Sequence, residues 1–407
     1  MSIDWDRGLP VLTTADLMLR EPVASDAASL YEALTDQQVS RFMSTPPGDP
    51  GGFERFIGWV RHERAQGRHF CYGVIPSGHA TPVGLIQVRE IEPGFGTAEW
   101  GFALARPHWG TGLFMAAASV VVDFAFRAAG VHRLEARASV QNGRGNGVLH
   151  KLGAEPEGVL RRSFYNAELL TDQVLWSIIA EDWQRSHPDV SYTTGRPEDP
   201  DGTDQVPVPR GALPWQDGLP VLRGEGIELR ELQEQDGQPL NSYFRDEELG
   251  RYIPPPPTTP AAYSRFLAWA DEHRRSGQFI CYGMVPEGSS HAVGVFQVHR
   301  LDPMFRNAEW GFVLARPHWG TGLVTRGAEV LLDFLFLEVG VERLEARAMV
   351  ANGRANGLLR KLGGTEEGHL RRSFLLGGQY HDDALWAILR SDWIARREGH
   401  DPPSSVL

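Results

Sequence analysis

Two short segments of this 407-residue chain could hold an anion through their backbone alone. Arg106-Pro107-His108-Trp109-Gly110-Thr111-Gly112-Leu113 runs from a strand-like stretch into a long helical pattern with one apolar face, and Arg316 to Leu323 repeats it letter for letter. The first amides of a helix have no partner within it, and the helix dipole favours negative charge there. Glycine lets a backbone approach an anion with no side chain in the way. The pattern suits a phosphate or pyrophosphate cradle, and a plain structural turn would carry the same letters. No Lys-Ser/Thr of a Walker loop follows, and the Gly-x-Gly-x-x-Gly spacing of a dinucleotide fold is absent. No histidines share metal-ligand spacing with a carboxylate or cysteine, so no metal is expected, and no Gly-x-Ser-x-Gly nucleophile turn appears. His108 and His318, just ahead of the cradle, read as structural. Cys71 and Cys281, in apolar strand patterns, read as packing residues.

The elements around the cradle repeat as well. Ala98 to Leu113 returns as Ala308 to Leu323 with one change, Ala103 to Val313, and the same shift of 210 positions relates Gly8–Leu12 to Gly218–Leu222 and Cys71–Gly73 to Cys281–Gly283. A period this long means duplicated domains and not a solenoid. The expected domains are residues 1–187 and 215–400, with an exposed Pro/Gly/Asp-rich linker at 188–214 and a tail at 401–407. Within the first copy, Leu17–Glu21 reads as a strand, and Asp26–Thr35 and Gly52–Gln66 as helices, the first capped by Ser25 or Asp26. Phe70–Ile75, Val83–Glu90 and Thr97–Ala105 read as an antiparallel meander. Leu113, Ala116, Ala117, Val120, Val121 and Phe124 share a helix face. Leu134, Ala136, Ala138 and Val140 alternate as a half-buried strand; a short helix at Asn146–Leu152 and a closing strand at Leu175–Ile179 follow. The sum is an α/β domain with a mixed sheet.

Bulk composition narrows the setting. Of the residues, 42% are hydrophobic and 23% charged, and no apolar run is long enough to span a bilayer. Forty basic against 52 acidic residues give a net charge of −12, which disfavours nucleic-acid binding and mildly favours an amine partner, or serves solubility alone. Two cysteines and no leader-like pattern suit a cytoplasmic protein.

Four features in each copy resemble the GNAT superfamily of N-acetyltransferases, in its RimJ/RimL-type branch. They are Leu19-Arg20-Glu21-Pro22 with Asp26-Ala27; Ala98-Glu99-Trp100-Gly101-Phe102 leading into Trp109–Leu113; Asn142 to Gly153; and Glu157-Gly158, Arg161-Arg162 and Asp172. The resemblance covers residues 9–183 and 219–393. It implies two tandem GNAT domains, each a mostly antiparallel mixed sheet flanked by helices, with acetyl-CoA as co-substrate. The backbone around Leu104 and Arg106 would meet the pantetheine arm in a notch where two strands splay. Trp109, Gly110, Thr111, Gly112 and Leu113 would take the pyrophosphate, and Asn142 would reach the pantetheine or cap its helix. The second-copy equivalents are Leu314, Arg316, Trp319, Gly320, Thr321, Gly322, Leu323 and Asn352. Single domains of this branch often pair, so the fusion implies an intramolecular pseudo-dimer, with further association of two chains left open. Some positions depart from the branch: Phe114-Met115 and Val324-Thr325 follow the loop, Gly145 and Ala355 replace a serine, and Phe164 and Phe374 stand where the ribosomal enzyme has its glutamate.

Acetyl transfer to nitrogen needs a neutral amine, so a carboxylate acting directly or through water must take a proton. Glu99 and Glu309 are the candidate catalytic bases, each beside a tryptophan whose surface would raise a carboxylate pKa, or else paired with an arginine. Asp172 and Asp382 are better suited to turns. The expected reaction is direct attack of a primary amine, of a small molecule or a peptide N-terminus, on the thioester. A non-catalytic acyl-CoA-binding module is the alternative. Phe42, Phe53, Phe56 and Trp59 would divide between core and acceptor pocket, and Pro46-Pro47 and Pro254–Pro257 would rim it.

Overall fold

A computed structural model describes residues 8–91, 94–166, 169–196, 214–253, 257 and 259–399, and the chain divides into two units at Pro209 and Arg210. Most of the expected linker, Pro254–Pro256 of the proline loop, and the tail lie outside the described residues.

In the first unit the strands are β1 (Val11–Thr13), β2 (Leu17–Arg20), β3 (His69–Pro76), β4 (Gly84–Glu90), β5 (Thr97–Leu104), β6 (Arg133–Ser139), β7 (Glu155–Asn166), β8 (Leu169–Ile179) and β9 (Thr193–Gly195). The helices are α1 (Ala27–Leu34), α2 (Gln37–Ser40), α3 (Pro50–Ala65), α4 (Leu113–Arg127), α5 (Gly143–Lys151) and α6 (Ala180–Ser186). The sheet runs β9-β1-β2-β3-β4-β5-β6-β8-β7, and its parallel joint is β5 with β6. Strand alternation puts Phe70, Tyr72, Val88, Trp100, Leu134 and Ala136 on the face that α4 covers with Ala117, Val121 and Phe124. The opposite face meets α1 and α3 through Leu30, Leu34, Phe53, Ile57 and Val60, which enclose Cys71.

The second unit repeats the plan. Its elements are β10 (Leu222–Gly224), β11 (Ile227–Arg230), α7 (Gly237–Phe244), α8 (Pro260–Arg275), β12 (Phe279–Pro286), β13 (Gly294–Arg300), β14 (Asn307–Leu314), α9 (Leu323–Asp333), β15 (Arg343–Met349), α10 (Gly353–Lys361), β16 (Thr365–Leu376), β17 (Gln379–Leu389) and α11 (Arg390–Arg397). After α9 the coil widens to a π-helix over Phe334–Val339.

Several expectations change. Asp26 makes no side-chain cap for α1; its carboxylate takes a two-pronged bond from Arg20, at 2.6 and 2.8 Å. The long strand β7 holds Glu157-Gly158 and Arg161-Arg162, which the GNAT resemblance assigned to its C-terminal strands, although no alternating pattern marks it. The first unit also runs past residue 187, since β9 pairs with β1 and the Tyr192 hydroxyl donates to Asp123 at 3.2 Å. Both cysteines are buried, and burial pushes the Cys281 thiol up to about 12, in keeping with packing roles. Among the described residues, no helix is long and apolar enough to cross a membrane.

Candidate active site

The parallel joint opens into a notch. β5 bonds β6 at Thr97–Arg133, Ala98–Leu134 and Glu99–Glu135, and the pairing then stops, although both strands continue. Beyond that rung each strand holds to its outer neighbour, β5 to β4 as far as Gly84–Leu104, and β6 to β8 as far as Ser139–Gln173. β14 and β15 part at the matching rung, Glu309–Glu345. A buried charge cluster braces the joint: Arg133 bonds Glu135 at 2.9 Å and also Glu157, and Arg343 bonds Glu345 at 2.9 Å and Glu367 at 2.7 Å. Burial works against the charge on Arg133, but the two carboxylates outweigh it and push its pKa up.

The glycine turn stands at the open end of the notch. Gly110 and Gly112 take left-handed φ values of +76° and +87°, and Gly320 and Gly322 +73° and +78°. Of the expected donors, Trp109 N bonds Arg106 O, and Leu113 N bonds the Thr111 hydroxyl at 3.3 Å. Among the described residues, the amides of Gly110, Thr111, Gly112, Phe114 and Met115 meet no protein acceptor. Gly320, Thr321, Gly322, Val324 and Thr325 repeat this, with Leu323 N on the Thr321 hydroxyl. A side chain at Gly110, Gly112 or Gly320 would point into open space. These groups fit a diphosphate.

The side chains of the loop brace it. The Trp109 indole donates to Leu104 O at 2.7 Å, and Trp319 to Leu314 O at 2.8 Å. The Leu104 and Leu314 carbonyls thus accept the indoles, and those of Arg106 and Arg316 accept from Trp109 N and Trp319 N, which ties the end of each strand to its loop. Asn142 Oδ1 caps α5 through Gly145 N at 2.9 Å, and Asn352 does the same for Ala355 at 3.1 Å. The cap is thus the role shown, with each Nδ2 left to donate. Phe114 turns away from the cradle onto Phe102, with ring centroids 4.5 Å apart.

Glu99 and Glu309 lie at the last rung before the split, at the throat of the notch. Alternation sends Trp100 and Trp310 to the opposite face, so neither ring stands against the carboxylate as expected. Glu99 accepts from Arg89 at 2.7 Å and lies 3.9 Å from Arg137. Glu309 lies 3.7 Å from Arg347, and its cross-strand neighbour is His299 in place of an arginine. Asp172 and Asp382 accept from the amides of Arg162 and Arg372 at 2.8 Å and hold irregular turns in β7 and β16, as expected.

Three features were not read from the sequence. Arg144 and Arg354 stack over Trp109 and Trp319 at 4.5 and 4.4 Å, which puts a cation beside each cradle. Arg326, where the first copy has Ala116, bonds Glu225 O at 2.7 Å and overhangs Gly322. Asn146 ties α5 to the sheet: its amide donates to Ser139 O and accepts from Trp176 Nε1 at 2.9 Å. Only the spacing of the two asparagines in Asn142-x-x-x-Asn146 could have signalled the last.

A mixed sheet split at its parallel joint, with an amide-lined turn at the split, is the architecture of the GNAT acyltransferases. The family model described as the acetyltransferase (GNAT) domain matches residues 16–155 and 227–365. The chain belongs to this family and carries its domain twice. It is 24% identical over 176 residues to the uncharacterized N-acetyltransferase p20 of Bacillus licheniformis, covering 43% of this chain and 99% of the relative. Over 175 residues it is 26% identical to the putative ribosomal N-acetyltransferase YdaF of Bacillus subtilis, covering 42% and 94%. Spermidine N(1)-acetyltransferase of Vibrio cholerae is 27% identical over 115 residues, covering 28% and 66%. Among solved structures, Mycobacterium smegmatis RimJ in complex with CoA-disulfide is 22% identical, with a TM-score of 0.39 over 42% of this chain and 86% of that one.

Proposed function

We propose that the protein moves an acetyl group from acetyl-CoA to a primary amine, by direct attack of the amine on the thioester. The observation that carries this reading is the set of open amides at the mouth of each splayed joint. They can take a diphosphate where an extended acyl arm can run down between two strands. Acetyl-CoA, when bound, supplies the activated acetyl group. Gly110 to Gly112 and Gly320 to Gly322 hold its diphosphate, with Arg144 and Arg354 adding charge beside them. The Nδ2 groups of Asn142 and Asn352 face the arm from the far side of the notch. A carboxylate at the throat, Glu99 or Glu309, receives a proton from the incoming ammonium.

The acceptor is a small amine or a peptide N-terminus. Relatives named for spermidine and for ribosomal substrates support both classes. Titrating each half of the chain with CoA in a calorimeter tests the cradle. A thiol-release assay with spermidine and with peptides bearing a free N-terminus tests the transfer. A chain that takes up no CoA in either half ends this reading.

A further inference from the structure

The two throats differ in charge, and the difference lies in one cross-strand row. In the first domain the row runs His69, Arg89, Glu99, Glu135 across β3, β4, β5 and β6. In the second it runs Phe279, His299, Glu309, Glu345. Arg89 bonds Glu99 directly at 2.7 Å, whereas His299 packs its ring against Phe279, with centroids 4.6 Å apart. Phe279 in turn meets Trp269 of α8 at 4.9 Å, and Trp269 stacks on His273 at 4.2 Å. The surrounding protein, with His273 adding, lowers the His299 pKa to about 4, so the imidazole carries no charge at neutral pH.

Most of the other charges near the two carboxylates correspond, Arg137 with Arg347 and the braced Arg133, Glu135 and Glu157 with Arg343, Glu345 and Glu367, but Asp271, which bonds Arg274, stands where the first domain has Arg61. Arg64–Glu21 and Arg274–Glu231 also correspond. The exchange of Arg89 for His299 therefore takes one full positive charge out of the second throat. Like charges repel a cationic ligand before it can lose its proton.

Resting on the acetyl-transfer reading above, we infer that the second domain is the one that acetylates a cationic amine, with Glu309 as its ammonium-binding base, and that Arg89 closes the first domain to such an acceptor. At Glu309 the ammonium gives one proton to the carboxylate. The amine nitrogen then bonds the thioester carbon, the carbon–sulfur bond breaks, and the second proton that the nitrogen sheds on becoming an amide neutralises the departing thiolate as the free thiol. Arg89 and His299 are specificity-determining residues, acting through the carboxylate beside them.

The test uses the full chain, acetyl-CoA, and spermidine as the cationic probe. His299→Arg lowers kcat/KM by at least about tenfold, mostly through KM, and weakens calorimetric binding of spermidine to the CoA-loaded chain, while affinity for CoA itself is unchanged. Glu309→Gln lowers spermidine turnover at least about tenfold further than Glu99→Gln does. Adding Arg89→His to Glu309→Gln restores turnover through Glu99, a gain that a misfolded variant cannot mimic. Turnover that survives Glu309→Gln but falls with Glu99→Gln overturns the assignment while sparing the transferase reading. Absence of both turnover and binding with spermidine overturns it too. Loss of CoA binding in the unaltered chain would sink the transferase reading itself.

Discussion

Gly112 and Gly322 sit at φ +87° and +78°, each immediately before the first residue of a helix, with open amides on both sides. An alanine there must enter the left-handed region, at a cost of about 1–2 kcal/mol, or pull the turn out of shape. Gly112→Ala and Gly322→Ala should each remove or weaken one CoA site by more than about tenfold with little change in secondary structure. Calorimetric stoichiometry reads this directly, and two full-affinity sites in either variant would refute the cradle. Arg326 supplies a finer check. A cation in the first turn of a helix opposes the helix dipole unless an anion arrives to meet it. Arg326→Ala should therefore weaken CoA binding by the second domain several-fold, and an unchanged or tighter site would show that this guanidinium only braces Glu225.

At the scale of the element, His69 marks where a strand carries a titratable group into the core. It is buried under Trp59, at a centroid distance of 5.2 Å. Burial first, and then the charge of Arg89, lower its pKa from 6.5 to about 3, against a hydrogen bond that its ring donates to Gln87. Between those two values the unfolded chain binds a proton that the folded chain refuses. Its contribution is thus fully present above pH 6.5 and lost progressively as pH falls toward 3. The second domain has Phe279 at this position, fully buried, so the site accepts an aromatic hydrocarbon. His69→Phe should narrow the gap between urea midpoints measured at about pH 7.5 and about pH 5, and an unchanged gap would show that the acid sensitivity arises elsewhere. This scale also shows what the sequence made legible. The meander and α4 were readable because their apolar periods of two and 3.6 are unbroken. β7 was not, because its residues are mostly polar and its register slips between Leu160 and Phe164, with Arg162 at φ +51°. β9 was hidden because Thr193-Thr194-Gly195 has a linker's composition and becomes a strand only through β1. The glycine turn and its open amides could be read from local letters. The Arg89–Glu99 bond could not, since it depends on cross-strand register and on which face each side chain takes.

At the scale of the whole molecule, the duplicated sheets are closed by different means at the end of each copy. In the first domain the Asp123 carboxylate is buried and takes bonds from Arg127 at 2.8 Å, Trp183 Nε1 at 3.4 Å and Tyr192 at 3.2 Å. Tyr192 lies beyond α6, on the segment that continues into β9. Burial and Asp123 push its phenol up to about 12, so it stays a donor throughout the neutral range. In the second domain Asp333 is met from within α11, by Trp393 Nε1 at 2.8 Å and Arg397 at 2.6 Å. Position 187, which corresponds to Arg397, is a histidine stacked on Trp183 at 3.8 Å. The first domain thus needs residues past 187 to complete a core carboxylate, and the second does not. Each unit has its own apolar core, so chains of residues 1–209 and 210–407 should each fold and melt cooperatively. A first-domain chain ending at 187 leaves Asp123 one donor short and strips β1 of one of its two partners, β2 remaining, which costs about 1–3 kcal/mol, or several degrees of melting temperature. Ending at 196 should restore that loss, and Tyr192→Phe in the longer chain should give part of it back. Equal melting temperatures for the chains ending at 187 and 196 would mean that β9 and Tyr192 decorate a domain already complete at α6.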